Sequence, residues 1–126
     1  MSIQVQIAGR LTRDAEMVEV EAGNIVKFCI ATDRPPMKKG GERDTDFFDV
    51  SGFVGKDDES GLMEKRVPHL KKGLKVCIIE GATLMIRKWE DKEGNKRYSP
   101  EVRVRSLWSL EYDPKSLQQE DEDIPF

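Results

Sequence analysis

Trp89 directly follows Arg87-Lys88 and directly precedes Glu90-Asp91, and Arg97-Tyr98 come after a polar segment that contains Gly94-Asn95. Charges on both flanks are costly to bury without partners, so this indole is expected at the surface. An exposed ring among cations can stack a flat nucleobase while the charges hold phosphates. That is chemistry of adsorption, with no bond made or broken. Phe47 and Phe53 carry a related signal. In Asp46-Phe47-Phe48-Asp49-Val50-Ser51-Gly52-Phe53 the two rings share a strand face with Asp49 and Ser51, while Phe48, Val50 and Gly52 share the other. Two rings on a polar face suit a stacking platform; a subunit interface or a second core layer is the alternative.

Those residues require a sheet to hold them. Leu74 to Trp89 and Tyr98 to Arg105 read as two strands of a hairpin with a long, mobile tip, and the return strand puts Val102 and Val104 opposite Glu101, Arg103 and Arg105. Ile3, Val5 and Ile7 alternate with Gln4 and Gln6 in a first strand to Gly9, which Arg10 to Asp14 either continues or turns, placing Arg10 and Arg13 near its end. Met17 to Glu21 is too short to assign. Asn24 to Thr32 is nearly all apolar, as for a strand covered on both sides. Asp33 to Thr45 is a Pro- and Gly-punctuated loop bearing Arg34, Lys38, Lys39 and Arg43, either a functional loop or a solvated tip.

Between the third and fourth strands, Leu62, Met63, Arg66, Val67 and Leu70 follow helical spacing, and Lys71-Lys72-Gly73 reads as a basic last turn with a terminal glycine. Pro68 either opens this helix or kinks it. Five antiparallel strands with one short helix after the third predict an all-β chain, the partly open Greek-key barrel called the OB-fold.

Composition excludes several classes. The 126 residues suffice for one self-supporting domain, and no run of about 18 apolar residues exists to span a membrane. The strand-like N-terminus lacks the form of a secretion signal, so a cytoplasmic location is expected. Cys29 and Cys77 have neither CxxC spacing nor a neighbouring histidine and read as reduced core thiols. His69, the single histidine, reads as a surface residue. Asp57, Asp58 and Glu59 are consecutive acids that could in principle hold Mg²⁺ for a nuclease, but no second acidic position converges on them, and no nucleophile has a paired base. No enzyme, metal or cofactor is expected. The net charge of −3 conceals an uneven distribution. Residues 117–126 hold four acids and no base, and removing them leaves 20 acids against 21 bases.

Several stretches resemble bacterial single-stranded-DNA-binding proteins: Gly9-Arg10-Leu11 with Asp14, Phe28 to Thr32, Leu70-Lys71-Lys72-Gly73, Ile86 to Tyr98 with Glu101-Val102, and the ending Asp121-Glu122-Asp123-Ile124-Pro125-Phe126. The resemblance implies an OB-fold domain over 1–112 and a linker with an acidic protein-interaction tail over 113–126. It also implies a homotetramer that wraps single-stranded DNA without strong sequence preference. Phe47, Phe53 and Trp89 match the family's stacking aromatics, and Lys56, Lys72, Arg87 and Lys88 match its basic positions. Arg34, Lys38, Arg97 and Tyr98 complete the candidate surface. Asp121 to Phe126 matches the tip that docks on replication, recombination and repair proteins. The chain departs from the family pattern in having no aromatic in Asp33 to Met37. It also has only Asp113 to Gln119 as a tether, of about 25 Å at full extension, a brevity similar to phage- or plasmid-borne members. The competing class is an OB-fold primosomal or recombination-mediator subunit acting mainly as a protein adaptor.

Overall fold

The computed structural model describes residues 2–34, 39–41, 44–57 and 61–118. Among them are strands β1 (Ile3–Leu11), β2 (Glu16–Val20), β3 (Gly23–Asp33), β4 (Thr45–Gly55), β5 (Lys75–Glu90), β6 (Lys96–Val104) and β7 (Leu110–Asp113), with a four-residue helix α1 (Leu62–Lys65) between β4 and β5. β1 pairs with both β3 and β5, so the order β1-β3-β4-β6-β5 closes on itself, while β2 extends β3 and β7 extends β5. This is the expected OB-type barrel with one difference in strand direction. β4 and β6 run parallel, from Asp49↔Glu101 to Gly52↔Val104, because β6 returns from the hairpin alongside β4 to complete the barrel wall.

Alternation drives the packing. Val26, Phe28 and Ile30 of β3, Val50 and Val54 of β4, and Val102 and Val104 of β6 point into the barrel, where Leu62, Val67 and Leu70 pack with them in one core cluster. Full burial of side chains such as Phe28, Ile30 and Ile78 contributes about 1.5–3 kcal/mol each. β3 is covered on both sides from Phe28 to Ala31, as its composition implied. β1 crosses it so closely there that a Cβ on Gly9 would lie 2.1 Å from the Ala31 carbonyl oxygen. Of the two readings left open after Gly9, the strand continues, as far as Leu11.

The expected helix over Leu62 to Leu70 is broken. α1 ends after one turn, and Val67–His69 forms a separate 3-10 turn with Pro68 at its start, since proline lacks the N–H that a continuing helix needs. Gly73 then ties this segment to β1: its N–H donates to the Leu11 carbonyl (2.8 Å), and its own carbonyl accepts from Arg10 Nη1 (2.9 Å). β2 and β7, five and four residues long, escaped assignment because so short a strand shows little periodicity. Cys29 is buried, Cys77 is only half-buried, and both are free thiols.

The expected free linker from Asp113 is shortened. Asp113 pairs with Lys75, and the 3-10 turn Pro114–Gln118 folds back on the barrel. There the buried Ser116 Oγ accepts from Lys75 N–H (2.9 Å) and donates to the Asp113 carbonyl (2.5 Å). The tip Asp121 to Phe126 lies outside the described residues, as does Lys38.

Candidate nucleic-acid interface

The register of β3, β4, β6 and β5 determines which side chains share the outer face of the barrel. Asp49 stands between Cys29 and Glu101, and Glu101 is in turn opposite Met85. Ser51 stands between Lys27 and Arg103. On the far flank Val18, Ile25 and Phe53 align. One pleat before the Asp49–Glu101 pair come Phe47 and Ser99, with Arg87 opposite Ser99; Arg97 and Trp89 form the next pair along the hairpin. Phe47, Phe53 and Trp89 therefore lie on one face and keep 63%, 49% and 42% of their surface in solvent. Six residues of strand set Phe47 and Phe53 about 20 Å apart. The indole of Trp89 is oriented by a hydrogen bond from its Nε1 to Ser99 Oγ (3.1 Å).

The hairpin that carries Trp89 ends in a compact turn. Strand pairing extends to Glu90↔Lys96, leaving 91–95 as the connection in place of the long tip expected. The Asp91 carboxylate accepts from the N–H groups of Glu93 (3.0 Å) and Asn95 (2.9 Å) and from Arg97 Nε (3.0 Å), and Gly94 supplies the left-handed residue with φ +81°. The Asn95 N–H bond, aided by Arg97, holds the Asp91 carboxyl below its ordinary pKa. Arg34 is likewise engaged, gripping Asp46 through two bonds of 2.6 and 2.8 Å. This pairing raises the pKa of the guanidinium and lowers that of the carboxyl.

Between the rings runs a groove of about 250 Å³ lined by Arg13, Glu16, Lys27, Asp49, Ser51, Arg87, Ser99 and Glu101, among others. Among the described residues, its three cations and three acids form no ion pairs with one another. Glu101 Oε1 accepts from Ser51 Oγ (3.0 Å), while Oε2 is shielded from solvent and meets no donor among the described residues.

An exposed aromatic face beside a groove of cations and acids lies on this OB-type barrel, and the chain as a whole has counterparts among known proteins. The model of the single-strand binding protein family matches residues 3–110. This chain belongs to that family. It is 31% identical over 121 residues to Single-stranded DNA-binding protein 1 of Staphylococcus aureus (strain MSSA476), covering 94% of this chain and 70% of that protein. It is 32% identical over 123 residues to the single-stranded DNA-binding protein of Thermotoga maritima, covering 95% and 82%. The fold matches a Plasmodium falciparum SSB complex with ssDNA at a TM-score of 0.62 and 17% identity, over 86% of this chain and 90% of that one. It matches a small single-stranded DNA-binding protein from Streptomyces coelicolor at 0.61 and 17%, over 90% and 95%.

In this family member the structure separates residues that the sequence had grouped. Lys88 and Tyr98 are register partners on the reverse face of the hairpin, with Ile86 and Pro100, away from Trp89. Lys56 is exposed just beyond the Phe53 end of β4, its N–H bonded to the Ala22 carbonyl. Lys72 is exposed too, its N–H held by Asp14 Oδ1 (2.8 Å), one residue from the groove-lining Arg13. Lys27, Arg13 and the acids Asp49 and Glu101 were missed as site residues. Lys27 did leave a trace, as the one charge inside an apolar strand. Trp108 and Tyr112 belong to a separate cluster, where the Arg66 guanidinium lies 4.9 Å from the Trp108 ring centroid and 5.3 Å from that of Tyr112, and His69 stacks on Tyr112 at 6.0 Å. No helix among the described residues is long and apolar enough to cross a membrane, and no group of three His, Cys, Asp or Glu among them could hold a metal ion.

Proposed function

We propose that this chain binds single-stranded DNA by base stacking and phosphate contacts, with no chemical step. The observation that carries this reading is the placement of Phe47, Phe53 and Trp89 together on the outer barrel face, all exposed. Every base has a flat face, so stacking, which contributes about 1–3 kcal/mol per base, supplies affinity without sequence readout. Arg87, Lys27 and Arg13 on the same face hold phosphates and release counterions. Duplex DNA keeps its base faces stacked, which confines binding to single strands. Titration with oligo-dT and with a duplex of equal length tests this directly: tight binding of the first alone is expected, and equal affinity for both refutes it.

The acids of the tip, followed by Ile124-Pro125-Phe126, suit a basic-rimmed apolar pocket on replication, recombination or repair proteins. Removing Ile124 to Phe126 is expected to abolish capture of such proteins while oligo-dT binding persists; loss of both makes the tail structural. Assembly as a homotetramer is favoured by apolar side chains exposed on β1 and β5, Ile3 (63%) and Ile79 (47%), the latter beside Val5 and Ala82 in a shallow groove. A solution mass of four chains is expected, and a monomer at micromolar concentration refutes it.

A further inference from the structure

The groove between the rings does not by itself account for the attraction of a polyanion. Its cations Arg13, Lys27 and Arg87 are matched in number by the acids Glu16, Asp49 and Glu101, so its formal charge is zero. A single strand carries a negative charge on every nucleotide, and holding it requires cations in excess. The register places such cations one strand further on. Arg103 of β6 stands between Ser51 of β4 and Thr83 of β5, both uncharged. It continues the row that Lys27 and Ser51 begin, two strand spacings or about 10 Å from Lys27. Val104 points into the barrel, so Arg105, just past the end of β6, returns to the outer face about 7 Å beyond Arg103. Its N–H donates to the Gly81 carbonyl (2.8 Å), which keeps it beside β5. Both arginines are exposed and, among the described residues, neither forms an ion pair. Glu101, two residues earlier on the same face of β6, has its carboxylate turned to Ser51 instead. Phe53 follows Gly52, the register partner of Val104, so its exposed ring stands beside the Arg103–Arg105 stretch.

We propose that Arg103 and Arg105 hold phosphates of a strand stacked on Phe53, extending the interface from the groove across the outer face of β6. The inference rests on reading this face as the single-stranded-DNA interface. A guanidinium presents a planar fork of donors that matches two phosphate oxygens, and it stays charged at any working pH. Two such groups on one strand face, a two-residue step apart, can grip successive phosphates of an extended strand. The groove cations meet phosphate in the company of acids that repel it. Arg103 and Arg105 face it with uncharged strand neighbours, and so supply the net charge that the groove lacks.

Fluorescence anisotropy of labelled oligo-dT over a range of salt concentrations tests this in the full chain. Each phosphate neutralised on a single strand accounts for about 0.7 in the slope of log affinity against log salt, so replacing both arginines with alanine is expected to remove about 1.4. With equal affinities at about 1 M salt, that slope corresponds to a loss of about 60-fold at about 50 mM. Arg103→Lys with Arg105→Lys keeps the charge and is expected to restore most of the slope, which a merely structural role for the arginines would not. A double alanine variant with the wild-type slope, or a double lysine variant as defective as the alanine one, overturns the proposal. Trp89→Ala checks the reading beneath it. If that variant binds oligo-dT like wild type, the stacking face itself fails; if it weakens binding while the double alanine slope stays unchanged, only the β6 contacts fail.

Discussion

Replacing Trp89 with alanine removes the ring that the hairpin presents. Trp89 keeps 42% of its surface in solvent, which is about 100 Å² if a fully exposed tryptophan offers roughly 250 Å². Covering that area with a base at about 25 cal/mol per Å² is worth at most ~2.5 kcal/mol, inside the range of about 1–3 kcal/mol for one stacked base. Trp89→Ala is therefore expected to weaken oligo-dT binding about 5- to 70-fold. The assay is fluorescence anisotropy of a labelled oligonucleotide, because tryptophan quenching loses its reporter in this variant. Trp89→Phe keeps a ring but loses the bond to Ser99 and is expected to fall between wild type and alanine. The fold is expected to survive, since the ring lies on an exposed hairpin beyond the buried Val102 and Val104. An alanine variant with an unchanged melting temperature and wild-type affinity removes the hairpin from the site and refutes the reasoning.

Three other perturbations probe separate parts of the molecule. Arg87→Ala is expected to reduce the slope of log affinity against log salt by about 0.7, the value for one phosphate neutralised on a single strand, and an unchanged slope places Arg87 off the DNA path. The hairpin turn is expected to depend on pH in one direction. Asp91 is bonded as the carboxylate and its folded pKa is lowered, so its contribution is complete above the ordinary carboxylate pKa and is lost as pH falls through the lower folded value. Amide chemical shifts of Glu93 and Asn95 are expected to move in that acidic window, and shifts that titrate at the ordinary value contradict the capping role. Gly9→Ala forces a Cβ against the Ala31 carbonyl and is expected to cost about 1–3 kcal/mol, read as a lowered thermal midpoint.

The exposure of Trp89 was legible in the chain because charged neighbours on both sides resist burial, and that of Phe47 and Phe53 because the period of two put them with Asp49 and Ser51. The same alternation foretold the inward set Val50, Val102 and Val104, and with it most of the barrel. These are local properties of a strand. Pairing is not local. Only the tertiary structure decided that β4 and β6 run parallel and that Asp49 therefore meets Glu101, and only the hairpin register decided that Lys88 and Tyr98 turn away from the face that Trp89 occupies. Shifting a strand by a single residue moves every side chain to the opposite face, so the membership of a surface built from four strands is set by registers that no single segment encodes.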